Sequence, residues 1–290
     1  MGFLYGTSYE IVYQGAGSRD YLSELQWNIK PLLYLGINLE FGPQKPQEKI
    51  GFFSAIGIKA AFPGKTGTME DRDWMTPCTV PGALTHFSSH DNYTERFFFA
   101  NLDTGFSIPI KKLVLKCYFN IDYMYFRWEA RDGYIQYGDN YYKRGTVTDP
   151  YIPWNSGFQT LPLYGAGIAY AQNWILFNTG IGAELTLGRF TIQAAFFIGP
   201  SICIAIDDHR LRNIRYTGSL TQGFFIKPKL DVFFSLSSHF DIGLSAAWWY
   251  TGETRGDTEI RESNSTYTVW DAEGAQLKAF EGTLALRYRF

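Results

Sequence analysis

The sequence predicts an all-β fold: a ten-stranded antiparallel transmembrane β-barrel with long extracellular loops. Three observations predict it. Apolar and polar residues alternate with period two along much of the chain, as strands with one apolar and one wet face require. Tight and large connections alternate along it. Phe, Tyr and Trp number 24, 20 and 8 in 290 residues, an aromatic excess that suits the interface girdles of a membrane barrel. No apolar run reaches the roughly 18 residues of a membrane-crossing helix. The length allows one large barrel or two ordinary domains; the continuous alternation favours a single barrel domain over residues 1–290. A net charge of −2 offers no basic surface, so nucleic acid is not an expected partner.

The elements follow in order. Near the start, Glu10 shares a phase with Gly6 and Ser8. Ile50, Phe52, Ile56, Ile58 and Phe62 then oppose Gly51, Gly57, Lys59, Asp71 and Asp73, a count that crosses Pro63, Gly64 and Gly67, where a bulge could shift it. Phe98, Leu102, Phe106 and Ile108 oppose Asn101, Asp103 and Ser107. Phe190, Ile192, Ala194, Phe196, Ile198, Ile202, Ile204 and Ile206 oppose Thr191, Gln193, Ser201, Asp207 and His209. Phe224, Ile226, Leu230, Val232, Phe234 and Leu236 oppose Lys227, Lys229, Asp231 and Ser235. Ile242, Leu244, Ala246, Trp248 and Tyr250 oppose Asp241, Gly243, Ser245 and Ala247. Leu284, Leu286, Tyr288 and Phe290 close the chain against Thr283, Ala285, Arg287 and Arg289.

Tight turns are expected near 42–48, 110–112, 188 and 237–239, and larger loops near 14–19, 72–92, 131–158, 208–213 and 252–274. An even strand number puts both termini on the tight-turn side. Several strands run to about 20 residues, beyond the ~9–11 needed to span, so the barrel should stand proud of the membrane on its loop side. No leader is visible, and an export signal is expected to precede this chain.

Phase brings the chemistry together. Asp71 and Asp73 lie two apart on the wet face of one strand, and Asp207 and His209 two apart on the wet face of another. Both strands run toward the loop side, the third and seventh of ten, so the pairs can face each other across the rim. A histidine titrates near neutral pH and can act as a base. Asp207 could hold the His209 imidazole and stabilise its cation. Asp71 and Asp73 could position a water for His209 to deprotonate, and two close carboxylates resist double ionisation, leaving one proton to share. Solvated rim acids are the plain alternative.

Asp71-Arg72-Asp73-Trp74-Met75, then Pro81-Gly82, Ser88 and His90, resemble the second-loop motif of the omptins, outer-membrane proteases with ten-stranded barrels. Asp207-Asp208-His209 resembles their second catalytic motif. Glu10-Ile11-Val12-Tyr13, Arg255-Gly256-Asp257-Thr258 and Leu286-Arg287-Tyr288-Arg289-Phe290 fit in order and spacing. The resemblance implies an endopeptidase of the bacterial outer membrane, its site facing outward. Asp71 and Asp73 would be the acid pair, Asp207 and His209 the dyad. Substrate would meet Glu10, His86, Ser88 and Ala205, and would be a peptide or protein cut near basic residues.

Two departures bear on specificity. The family's second pocket acid, two residues before the dyad Asp, is Ala205 here, so Glu10 is expected to be the only acid left and basic preference to weaken. The family's acid five residues after the Pro-Gly proline is His86 here, which disfavours a second basic residue. A third departure concerns lipid. Tyr123 and Tyr125 stand where the family's outward Glu and Arg clamp lipopolysaccharide, so dependence on that lipid is doubtful: another outer-membrane lipid, or none, is expected to serve. A monomer is expected, without cofactor or metal. His86 and His90 lie four apart without a third ligand at useful spacing. Cys117 and Cys203 read as small buried residues inside strands, and Lys227 and Lys229 as lumen charges paired near Asp231. A non-enzymatic barrel, an adhesin or a small pore, is the competing class.

Overall fold

The computed structural model describes residues 1–43, 49–138 and 150–289. The described residues form strands and turns without a helix: β1 Gly2–Tyr13, β2 Tyr21–Phe41, β3 Gly51–Ala61, β4 Gly64–Asp73, β5 His86–Ile110, β6 Leu113–Tyr137, β7 Leu161–Pro162, β8 Ala166–Leu187, β9 Phe190–His209, β10 Ile214–Ser235, β11 Phe240–Thr251, β12 Thr254–Glu262 and β13 Ser265–Tyr288. β3 and β4 are the two halves of one stave, and β11 and β12 of another. β7 is a short pairing on β6. The result is a closed ring of ten antiparallel staves, sealed by β1 on β13 from Gly2 opposite Thr283 to Val12 opposite Glu273. Closure satisfies every stave's backbone on both sides, which lipid demands. Parts of the turn at 42–48 and the loop at 131–158, and the terminal Phe290, lie outside the described residues.

The outer face carries an apolar band: Leu33, Ile37, Phe52, Ile58, Phe106, Phe119, Ile181, Phe196, Leu230, Leu244 and Leu284 are all exposed. They sit in the lower part of the staves, toward the tight turns and both termini. Gly188, with φ +60°, makes the left-handed corner of the turn between β8 and β9. Above the band the outward residues turn polar, with Glu24, Gln26, Glu70 and Arg72 at the level of Asp71. That end stands in water.

Two expectations need correction. The connection at 208–213 is not a large loop, and 252–274 is mainly strand. β9 joins β10 through a short turn at 210–213, and β12 with β13 forms a tall hairpin. Polar residues there suggested loops, but above the lipid a strand needs no apolar face to keep its backbone paired. Cys117 is exposed on the outer face, whereas Cys203 is buried. Cys117 pairs across the sheet with outward Phe106 and Ile181, so its phase is that of the lipid band.

The expected phase of Asp71 and Asp73 holds for a reason that counting could not supply. The phase shifts once in the break between β3 and β4, and again at Thr66, bulged between Lys65 and Gly67. The two shifts cancel.

The lumen is filled. Lys227 pairs with Asp122 at 2.6 Å, Lys116 with Glu184 at 2.8 Å and Lys229 with Asp231 at 3.1 Å. Above these ions lies an aromatic layer. Trp128 stacks on Phe126 at 4.9 Å between centroids, and Trp27 on Tyr170 at 5.4 Å. Both tryptophans and Tyr170 are fully buried. This layer is the floor on which the outer end of the barrel rests.

Candidate active site

Two pairs of side chains stand above that floor. β4 ends in Asp71 and Asp73. Their cross-strand neighbours on β2 are Leu25 and Ser23, and on β5 Ser88 and His86. Ser23 donates its hydroxyl hydrogen to Asp71 Oδ1 at 3.1 Å. Burial and the charge of Asp73 push the Asp71 carboxyl well above the usual range. Burial also raises Asp73, against the pull of Ser23 and His86. Two neighbouring acids with raised proton affinity hold a proton between them at moderately acid pH.

Opposite, β9 delivers Asp207 and His209. His209 Nε2 lies 2.6 Å from Asp207 Oδ2. The carboxylate therefore accepts from Nε2–H and leaves Nδ1 as the basic nitrogen, the tautomer fixed by this bond. Asp207 is 2% exposed. The imidazole stands edge-on to Tyr216 at 5.4 Å. The walls are close enough for Asp207 to act electrostatically on both Asp71 and Glu10. Arg212, in the turn after β9, adds an opposing positive field at Asp71 and Asp73.

The walls are tied across the barrel. Gln172 of β8 accepts from Ser8 at 2.6 Å and donates to the Tyr9 carbonyl at 3.1 Å. It lies directly opposite Ala205 on β9. These bonds fix β1, and so Glu10, against β8, the neighbour of the dyad strand. An open groove of about 1170 Å³ has Tyr21, Glu253, Arg255 and Trp74, the residue after Asp73, among its walls.

The other expected residues separate in role. Glu10 is buried at 2% exposure, and burial and then Asp207 hold its carboxyl well above the ordinary range. Ala205 is fully buried on β9. His86 faces inward opposite Asp73, its ring 4.3 Å from that of Tyr137. Ser88 lies opposite Asp71, but its hydroxyl is 2.9 Å from His90 Nε2, and His90 Nδ1 is 2.6 Å from the Asp132 carbonyl. No group of side chains among the described residues is arranged to hold a metal ion. Tyr123 lies on the outer wall, its hydroxyl donating to Asn173 at 3.0 Å. One level above, Arg127 and Arg131 both hold Glu95.

A second acid stands near Glu10: Glu273 of β13 is buried at 2% exposure and acts electrostatically on Glu10. Burial raises the Glu273 carboxyl to about 8. Its signal in the sequence is phase, since counting back by twos from Arg287 puts 273 on the inner face, but the polar residues of 252–274 mask it.

The Omptin family model matches residues 1–290. Among solved structures, the outer membrane protease OmpT from Escherichia coli superposes with a TM-score of 0.82 at 18% identity, over 100% of this chain and 94% of that one. The transport unit of the autotransporter AIDA-I from Escherichia coli gives a TM-score of only 0.33 at 9% identity, over 100% of this chain and 90% of that one. No curated protein sequence matches.

Proposed function

The chain belongs to the Omptin family and is a protease of the bacterial outer membrane; from that premise we propose that Asp207, His209, Asp71 and Asp73 hydrolyse peptide bonds near basic residues in substrates outside the cell. The observation that carries this reading is the His209–Asp207 contact of 2.6 Å, with Asp207 acting electrostatically on Asp71 of the half-buried acid pair.

The steps balance without a covalent intermediate. A water held by Asp71 and Asp73 attacks the peptide carbonyl carbon. His209 Nδ1 takes its proton, and Asp207 stabilises the imidazolium that forms. The tetrahedral intermediate collapses, the C–N bond breaks, and the leaving amine takes a proton from His209 or from the protonated member of the acid pair. The products are one new carboxyl and one new amine. General-base action of this kind is worth about 10²–10⁴-fold. The groove beside Trp74 and Tyr21 gives an extended chain room to run past Asp73. Glu10 faces the basic side chain, and outward Tyr123 and Tyr125 leave lipopolysaccharide unnecessary for activity.

The test is kcat for His209→Gln and Asp73→Asn on a basic peptide. Each variant should lose about 10²–10⁴-fold while keeping the folded barrel's gel mobility. Retention of kcat within about threefold in either, against that 10²–10⁴-fold expectation, would remove that residue from the mechanism.

A further inference from the structure

We infer that Glu273 is a specificity residue, joining Glu10 in a two-carboxyl pocket for a lysine or arginine side chain and doing from β13 what no acid does at Ala205. This rests on the peptidase reading and adds a residue to it.

Position comes first. Glu10 pairs with Ala275 and Val12 with Glu273, so the two acids are diagonal neighbours on the inner face. The Glu273 side chain reaches past β12 and ends over Gly218 of β10. A Cβ at 218 would stand 2.5 Å from its carboxyl carbon and 2.6 Å from Oε2. Gly218 pairs with Ala205. A glycine and an alanine thus leave the space that an acid on β9 would occupy, and Glu273 enters it from the other side.

The second observation is the lack of a charged partner. Neither oxygen of Glu273, nor Oε2 of Glu10, nor Oδ1 of Asp207 meets a donor in good hydrogen-bond geometry among the described residues; the Thr258 hydroxyl lies near Glu273, and Asp207 near Glu10, without supplying a positive charge. Elsewhere in the lumen buried acids are paired, as Asp122 is with Lys227 and Glu184 with Lys116. Buried carboxyls without donors are costly, and a guest cation relieves that cost. These oxygens are not gathered tightly enough to coordinate a metal ion. The fitting guest carries several donors spread on one charged head, which describes a guanidinium or an ammonium on a long stem. Burial raises the proton affinities of Glu10 and Glu273, and a bound cation would ionise them.

The experiment uses the folded full chain and two probes, acetyl-arginine amide and its neutral isostere acetyl-citrulline amide. Binding is measured by calorimetry for the wild type, E10Q, E273Q and Gly218→Ala. Cleavage of peptides differing only in arginine or citrulline is measured in parallel. The wild type should prefer arginine, and E273Q should lower the arginine-to-citrulline ratio about ten- to a hundredfold, the worth of a charged hydrogen bond. Gly218→Ala, which presses on the carboxyl without removing it, should lower the ratio in the same direction and covers a poorly folding E273Q. An unchanged ratio in either folded variant, with E10Q alone reducing it, would overturn the assignment. The binding ratio answers even if the peptidase reading fails, because that failure shows separately as cleavage that survives His209→Ala.

Discussion

Replacing Glu273 by Gln should make the barrel more tolerant of alkaline pH. The Glu273 carboxyl has an ordinary value of 4.5 and is raised to about 8 in the fold. Between those limits the unfolded chain releases a proton that the folded chain keeps. Folded stability therefore falls as pH rises, starting near 4.5 and levelling off above 8. At about 1.36 kcal/mol per pH unit the full span would be worth about 5 kcal/mol. Glu10 and Asp207 share the same field, so about 2–4 kcal/mol is expected for Glu273 alone. The assay is urea unfolding of the refolded barrel in detergent at pH 5 and pH 9, followed by tryptophan fluorescence and gel mobility. The wild type should lose several kcal/mol more than E273Q across this interval. Equal losses in both proteins would refute the idea that this carboxyl is buried without a charged partner.

Further predictions concern the acid pair, the barrel base and lipid. Cleavage should decline on the acid side as Asp71 and Asp73 take up their second proton. Asp71 lowers the Asp73 carboxyl through a side-chain hydrogen bond, so Asp71→Ala should move the acid limb of whatever cleavage remains to higher pH; a pH–kcat profile shows whether the limb moves. Asp241 is fully buried and accepts from Arg287 and Arg289, each at 2.6 Å. Both arginines are partly exposed, so Asp241→Ala should cost a moderate ~1–3 kcal/mol, read as a shift in urea midpoint. Barrel refolded in lipid-free detergent should cleave at a rate within about threefold of that with added lipopolysaccharide, a margin of under 1 kcal/mol; a stimulation of tenfold or more would contradict the reading of Tyr123 and Tyr125.

Period-two counting found the barrel because lipid enforces the alternation: Leu284 and Leu286 on one face and Arg287 on the other need no tertiary information. It found Asp207 and His209 for the same reason, since β9 runs unbroken from the lipid band to the rim. It reached Asp71 and Asp73 only because the break at Pro63 and the bulge at Thr66 offset each other, and that depends on cross-strand register. Above the lipid the rule weakens. There the β12–β13 hairpin mixes charged residues with exposed Tyr267 and Trp270, so the phase of Glu273 does not stand out, and the Ser23 bond to Asp71 joins strands that only the folded ring brings together. Cys117 shows the opposite error, a small residue assumed to be buried that in fact faces lipid.

The most direct test is cleavage of a mixed peptide library by the refolded barrel, read by mass spectrometry beside a His209→Ala control. Cuts clustered at lysine or arginine in the wild type, and gone in the control, are the outcome that the Asp207–His209 geometry predicts. Cuts that persist in His209→Ala, or a wild type that cuts nothing with several lipids supplied, would contradict it.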